Sequence, residues 1–130
     1  MGKRKFKKDE LRLPVYNDAR RLYEQFCRST RKLPINTKRG AIAETELWII
    51  NLLECISFAD DTDGKQKADN VKEALKYAYK IMIRVRTLRN LNLLPISGFS
   101  AIVAIEDSLA RQLDGWANSI ENEICTSQQV

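Results

Sequence analysis

Apolar positions recur at steps of three and four along most of the chain, which is the spacing of one buried face of an α-helix. Such stripes predict the first, third and fourth of four helices. Their members are Val15, Ala19, Leu22, Phe26 and Leu33, then Val71, Leu75, Ala78, Met82, Val85 and Leu88, then Phe99, Ile102, Leu109, Leu113, Trp116 and Ile120. Pro14 fits the first position of a helix, and Pro34 disfavours helix at the residue before it.

The second predicted helix, from Thr37 as its capping residue to about Ala59, is apolar on nearly every side. Its apolar residues are Leu47, Trp48, Ile49, Ile50, Leu52, Leu53 and Ile56. The core of a four-helix monomer covers one face of each helix, so a helix apolar all round needs a second cover. We therefore predict a homo-oligomer with Trp48, Ile49, Leu52 and Ile56 at its interface. A monomer with a slightly apolar surface is the alternative.

Turn and breaker residues separate these helices. The acidic segment 60–64 predicts a turn and a cap for the third helix, and Pro95 ends that helix. Ser97 or Ser100 is expected to cap the fourth helix. Within it, Glu106 interrupts the apolar stripe and is expected at a boundary or in an ion pair. Gly115 predicts a close approach between helices.

These elements predict an all-α protein, an antiparallel up-down four-helix bundle that assembles as a homo-oligomer. With 130 residues, 44% of them hydrophobic, the chain is long enough for one packed core. The predicted divisions are a basic arm at 1–13, the bundle at 14–124 and a polar tail at 125–130. No apolar run approaches the ~18 residues of a membrane span, so we expect no membrane partner. The three cysteines are an odd number without CxxC spacing, which favours a reducing cytoplasm over a disulfide framework.

Charge alternates from element to element. The net charge is +9 over residues 1–40, −6 over 41–64, +6 over 65–90 and −4 over 91–130, within a total of +5. In the third helix Lys72, Lys76, Lys80 and Arg84 recur every four residues and form one slanted row, because a step of four drifts by about 40°. Neighbouring cations repel, and an external polyanion would offset that repulsion. A solvated face is the alternative.

The basic residues of the arm and of the first and third helices are therefore candidate nucleic-acid contacts. They are Lys3, Arg4, Lys5, Lys7, Lys8, Arg20, Arg21, Arg28, Arg31, Lys32, Lys72, Lys76, Lys80, Arg84, Arg86 and Arg89. For the arm alone, a solubilising tail is the alternative.

The chain lacks the residues of most catalytic sites. It has no histidine, and its cysteines Cys27, Cys55 and Cys125 have no metal-binding spacing. Serine–histidine or cysteine–histidine catalysis and helical ribonucleases of the Arg…His type are excluded. We predict that the chain has no catalytic residues and binds no metal, cofactor or small-molecule substrate. Its cysteines are predicted to be free thiols.

Four stretches, taken in order, resemble one known family. They are Phe26…Leu33-Pro34 followed by Lys38-Arg39, the apolar run closing on Ala59, Glu73-Ala74-Leu75 through Arg84, Arg86 and Arg89 to Leu94, and Leu113-Asp114-Gly115-Trp116. Between Pro14 and Trp116 the chain resembles the accessory variability determinant proteins of diversity-generating retroelements. It departs from them where their Gly-Gly-Trp reads Asp-Gly-Trp.

The resemblance implies a four-helix bundle that assembles into a basic homopentameric barrel and performs no chemistry itself. Such a protein would bind the retroelement's reverse transcriptase and its template RNA or cDNA, and would support mutagenic cDNA synthesis (mutagenic retrohoming). The alternative is an interaction or structural bundle without a polymerase, of the kind encoded in ribosomal RNA intervening sequences.

Overall fold

A computed structural model of the protein describes residues 13–129, with side chains through residue 126. Its long helices are α1 (Pro14–Thr30), α2 (Ala43–Asp60), α3 (Gly64–Asn90) and α4 (Ile96–Gln129). The α1–α2 connection contains a helical turn at Ile35–Thr37 and a π-helical segment at Lys38–Ile42. The described range contains no strand. The predicted arm, apart from Leu13, lies outside this range.

The four helices form a bundle in which α1 and α3 each pack between α2 and α4. At one end, Arg84 of α3 bonds to Glu44 at the start of α2. Farther along the same pair, Asn51 of α2 donates a hydrogen bond to Tyr77 of α3. These contacts place the second half of α3 beside the first half of α2.

The predicted apolar stripes form the core. On α1, Val15, Ala19, Leu22 and Phe26 are buried, and so are the stripe residues of α3 and α4 except for a few at the edges. Leu75, Met82, Phe99 and Trp116 are the half-buried exceptions. The 3.6-residue periodicity therefore identified the buried face of these three helices.

Several helix ends differ from the prediction. Neither Thr37 nor Asp63 makes a side-chain capping bond, and α4 begins at Ile96, which places Ser97 and Ser100 inside the helix. α1 ends at Thr30, and α4 continues to Gln129 through the predicted tail. Polar residues near a predicted start were thus poor guides to where the helix begins.

The close approach between helices occurs at Gly98, not at Gly115. A β-carbon on Gly98 would collide with the hydroxyl of Ser29, whereas one on Gly115 would meet no described atom within 4 Å. Gly98 therefore lets the start of α4 lie against the end of α1. This contact brings the α1–α2 and α3–α4 connections to the same end of the bundle.

Candidate nucleic-acid interface

The predicted row on α3 does not form one continuous basic surface. Lys72, at the start of the row, forms an ion pair with Glu121 of α4 at 3.2 Å. Lys80 and Arg84, at its other end, lie over the Trp48 ring of α2, at 4.5 and 4.3 Å from its centroid. Three steps of four residues turn the row by about 120° around the helix. It thus crosses from the α4 side to the α2 side.

Arg84 is committed to the fold rather than free for phosphate. Its guanidinium bonds to the Glu44 carboxylate at 2.7 Å, the Ala41 carbonyl at 3.1 Å and the Thr45 hydroxyl at 3.3 Å. The side chain is only 21% exposed. A planar guanidinium suits this combination of several acceptors and an aromatic face. Arg84 therefore ties the end of α3 to the start of α2.

The other predicted residues on α3 differ in their surroundings. Lys80 is exposed and also lies 5.1 Å from the Tyr77 ring centroid. Lys76 is exposed and has only a loose pair with Glu73 at 3.8 Å. Arg89 donates to the Leu94 carbonyl at 2.7 Å and so closes the α3–α4 connection. Lys76 and Lys80 thus keep exposed ammonium groups, whereas Arg89 has a structural partner.

On α1, the candidates divide into paired and open residues. Arg20 pairs with Glu24, and Arg21 with Asp18, each at 3.0 Å. Asp18 also accepts hydrogen bonds from Ser108 and Gln112 of α4, so Arg21 joins a network between the helices. Neutralised by nearby carboxylates, these two arginines offer less to an external anion than an unpaired cation does.

An open group of cations lies where α1 ends. We call Arg28, Arg31, Lys32, Lys38 and Arg39 the basic end; residues 25–43 contain these five cations and no acid. Arg31, Lys32 and Arg39 are exposed and make no ion pair with the described residues. Lys38 donates to the Arg31 carbonyl at 3.1 Å, which holds the two sides of the connection together. The group is therefore compact and positively charged.

The basic end owes its shape to the kinked connection. Gly40 has ψ near −110°, outside the helical range, at a kink between the short turn and α2. Just beyond the kink, the Ala41 carbonyl accepts bonds from Thr45 at 2.6 Å and from Arg84. These bonds fix the connection against α3. Lys38 and Arg39 were not among the predicted contacts, although the acid-free run from 25 to 43 marks them.

The interface predicted on α2 requires a correction. Ile49, Leu52 and Ile56 are fully buried within the single chain, and half-buried Trp48 is covered by Lys80 and Arg84. The apolar residues that α2 leaves exposed are instead Leu47, Ile50 and Phe58. Periodicity could not separate the buried set from the exposed set, because α2 carries apolar residues on both of these sides.

Glu106 is the buried ionisable group that the sequence analysis did not place correctly. It is 2% exposed, and neither carboxylate oxygen has a hydrogen-bond partner in the described part of the chain. Burial raises its pKa to about 8, with the charge of Arg86 opposing the rise and that of Asp107 adding to it. The expectation of a boundary position or an ion pair was wrong. Glu106 is one of the residues around a cavity of about 230 Å³ between α3 and α4, but both of its carboxylate oxygens are sealed from that cavity.

The described residues hold no group of three or more acidic, cysteine or histidine side chains that could bind a metal. Burial, reinforced by Glu46, raises the pKa of Cys27, and burial reinforced by Glu73 and Glu54 raises that of Cys55. Both thiols are therefore protonated and weakly nucleophilic at neutral pH. None of the helices in the described range is both long and apolar enough to span a bilayer.

No protein-family model, no curated protein and no solved structure matches this chain. The functional assignment therefore depends on the arrangement of the residues and on the motifs in the sequence.

Proposed function

We propose that this protein is a non-enzymatic accessory subunit of a diversity-generating retroelement. In this role it binds the retroelement's template RNA and cDNA through basic residues, associates with the reverse transcriptase, and supports mutagenic cDNA synthesis without catalysing a reaction. The motifs between Pro14 and Trp116 supply the link to this family. The basic end supplies the surface for the nucleic acid.

The observation that carries the RNA-binding part is the unneutralised charge of the basic end. Arg31, Lys32 and Arg39 are exposed, and the two acids that flank them in sequence, Glu24 and Glu44, are already bonded to Arg20 and Arg84. Exposed cations without acid partners gain most from phosphate, because they lose no internal ion pair on binding. Phosphate contacts of this kind give affinity with little sequence readout.

The proposal includes self-association as an up-down bundle, with a pentamer as the expected state. Leu47, Ile50 and Phe58 of α2 are exposed and lie within about 80° of one another around the helix axis. Exposed apolar side chains grouped on one face of a helix are typical of a surface that a second copy covers, and this face also contains the exposed Glu54. It replaces the buried residues Ile49, Leu52 and Ile56 in that role.

The RNA-binding proposal is tested by titrating the retroelement's template RNA between 50 and 200 mM salt. If about six phosphates are contacted, affinity falls roughly a thousandfold over this range. A variant with Arg31, Lys32 and Arg39 changed to Gln loses three contacts. Its affinity is expected to fall only about fortyfold over the same range, from a weaker starting value. A wild-type affinity that does not change with salt concentration would exclude binding through phosphate contacts.

A matched control carries the same loss of charge elsewhere. Arg20, Lys65 and Arg111 are also exposed; changing all three to Gln is expected to leave most of the salt dependence intact. Equal losses in the two variants would show that total charge, not the basic end, determines binding. Purified protein that binds neither RNA nor the polymerase would favour the alternative of an interaction bundle with a different partner.

Sedimentation of the protein tests the self-association part separately. We expect an oligomer for the wild type and a smaller species when Leu47 and Phe58 are changed to Lys. The charge-matched control changes the exposed polar residues Ser119 and Asn122 of α4 to Lys. A monomeric wild type at micromolar concentration would contradict this part of the proposal.

A further inference from the structure

The outer face of α3 combines cations with exposed apolar side chains. Tyr79 and Ile83 are 63% and 67% exposed. Lys72 and Lys76 are also exposed, and all four side chains lie within about 60° of one another around the helix axis. We call these four residues the basic face of α3. Large apolar side chains grouped in this way mark an interaction surface.

The outer face of α2 has the opposite charge. Leu47, Ile50, Glu54 and Phe58 are exposed and lie within about 80° of one another around the helix axis. We call these four residues the acidic face of α2. None of the ion pairs among the described residues includes Glu54. Neighbouring helices thus carry two partly apolar faces of opposite charge.

The contacts between α2 and α3 fix which of their residues lie at the same height along the bundle. Arg84 of α3 bonds to Glu44 of α2. Tyr77, seven residues before Arg84, accepts a bond from Asn51, seven residues after Glu44. The two helices therefore run antiparallel in one constant register between these contacts.

By this register, the apolar and the charged residues of the two faces match in height. Leu47 lies between the heights of Tyr79 and Ile83, and Glu54 lies between the heights of the two lysines of the basic face. Rotation about an axis parallel to the helices leaves every height unchanged. A second copy related by such a rotation therefore sets apolar residues opposite apolar ones, and Glu54 opposite lysine.

We propose that the acidic face of one copy packs against the basic face of the next copy, so that the oligomer is a closed ring of identical head-to-tail contacts. Leu47 and Ile50 pack against Tyr79 and Ile83, and Glu54 pairs with a lysine of the basic face. This inference rests on the self-association in the proposed function and identifies the two surfaces that meet.

Charge favours this joint over the pairing of either face with itself. Two acidic faces would bring the same acid from both copies into one apolar contact, and two basic faces would bring four lysines together. Like charges in an interface suppress such pairings. The head-to-tail joint instead gives Glu54 the cationic partner that it lacks among the described residues.

The directions of the two faces favour a closed ring over a filament. Lys72 bonds to Glu121, so the basic face is turned toward α4 and away from α2. The acidic face is turned toward α1, because Glu46, on the Ile50 side of α2, acts on Cys27 of α1. Neighbouring helices of a square bundle face outward about 90° apart, and these turns widen that angle. A ring of five copies requires about 108° between its two faces.

Sedimentation tests the basic face directly. Tyr79→Lys together with Ile83→Lys is expected to convert the oligomer to a monomer, although neither residue belongs to α2. The matched control, Ser119→Lys with Asn122→Lys, adds the same charge at exposed positions of α4 and should leave the oligomer intact. Circular dichroism checks that each variant keeps its helices.

Two results of this experiment would overturn the inference in different ways. An oligomeric wild type whose size is unchanged in the Tyr79→Lys, Ile83→Lys variant overturns the head-to-tail joint alone. A monomeric wild type overturns the self-association in the proposed function as well.

Exchanging charges tests whether the two faces meet each other. Glu54→Lys and Lys76→Glu should each raise the dissociation constant of the oligomer roughly tenfold, because each places like charges across the joint. Both changes in one chain restore opposite charges and should return the constant to within about threefold of the wild type. Glu54→Lys with Arg111→Glu has the same net charge and should not recover. Failure of the first pair to recover would refute the pairing of these faces.

Cross-linking tests the closure of the ring. In a Cys125→Ser background, Leu47→Cys and Ile83→Cys are made singly and together, and each chain is treated with a short bismaleimide. We expect a ladder of linked chains that stops at the ring size, and only where both cysteines are present. Linked dimers from Leu47→Cys alone would show that α2 pairs with itself, and a ladder without a final size would refute the closed ring.

Discussion

Replacing Glu106 by Gln is expected to change how the stability of the fold depends on pH. The pKa of this carboxyl is raised to about 8 from an ordinary value of 4.5, because burial disfavours its charged form. Between these two values the folded protein holds a proton on Glu106 that the unfolded chain has released. Stability from this group is therefore fully present below pH 4.5 and is lost as pH rises toward 8.

The magnitude follows from the shift. Each pH unit inside the window costs about 1.4 kcal/mol, so the whole range from 4.5 to 8 amounts to about 5 kcal/mol. Between pH 5.5 and 7.5 the free energy of unfolding of the wild type should fall by about 3 kcal/mol relative to Glu106→Gln. In urea this difference corresponds to a relative shift of the midpoint by about 1–2 M.

Urea denaturation of both proteins at pH 5.5, 6.5 and 7.5 measures this difference. Histidine does not contribute to the pH dependence in this range, because the chain has none. The raised pKa values of Cys27 and Cys55 keep both thiols protonated across the same range. Glu123→Gln, on an exposed position of α4, is the matched control and should follow the wild type. A difference between wild type and Glu106→Gln that stays constant with pH would refute the reasoning.

Two further predictions concern the packing of the helices. Arg84→Ala should lower the free energy of unfolding by about 2–3 kcal/mol, because it leaves acceptors at the start of α2 without their charged donor, whereas Arg31→Ala should change it by less than about 0.5 kcal/mol. Similar effects in urea denaturation would contradict the structural role of Arg84. Gly98→Ala should cost about 1–3 kcal/mol through its clash with Ser29, and Ser29→Gly in the same chain should restore much of the loss. Gly115→Ala, in open space on the same helix, should instead raise the melting temperature.

The sequence was sufficient for the helices and their buried faces. Stripes such as Val15, Ala19, Leu22 and Phe26 are read directly from the period of 3.6, and each of these residues is buried. α2 was harder, because a helix apolar on all sides gives no direction. Its exposed set of Leu47, Ile50 and Phe58 depends on which neighbours cover it.

The division of the cations into structural and open residues was not readable from the sequence. Arg84 looked like one member of a regular row, and its role depends on Ala41 and Glu44, which precede it by 43 and 40 residues. Both acceptors follow the kink at Gly40, where the start of α2 packs against α3. By contrast, Glu106 did leave a local signal, since it breaks an apolar stripe. The error was to expect a partner for it.

The charge at the basic end follows from how the acids of the fold are used. Residues 25–43 contain no acid, and the acids that flank this segment are Glu24, which is bonded to Arg20, and Glu44 and Glu46 at the start of α2. Glu44 is bonded to Arg84, and the charge of Glu46 acts on Cys27 and Tyr23 of α1. Arg31, Lys32 and Arg39 are thus exposed to solvent without an acidic partner, because the acids at the start of α2 interact with residues of α1 and α3 instead. A polyanion that binds there breaks none of the described ion pairs, which is why this surface, rather than the row on α3, is the one we assign to nucleic acid.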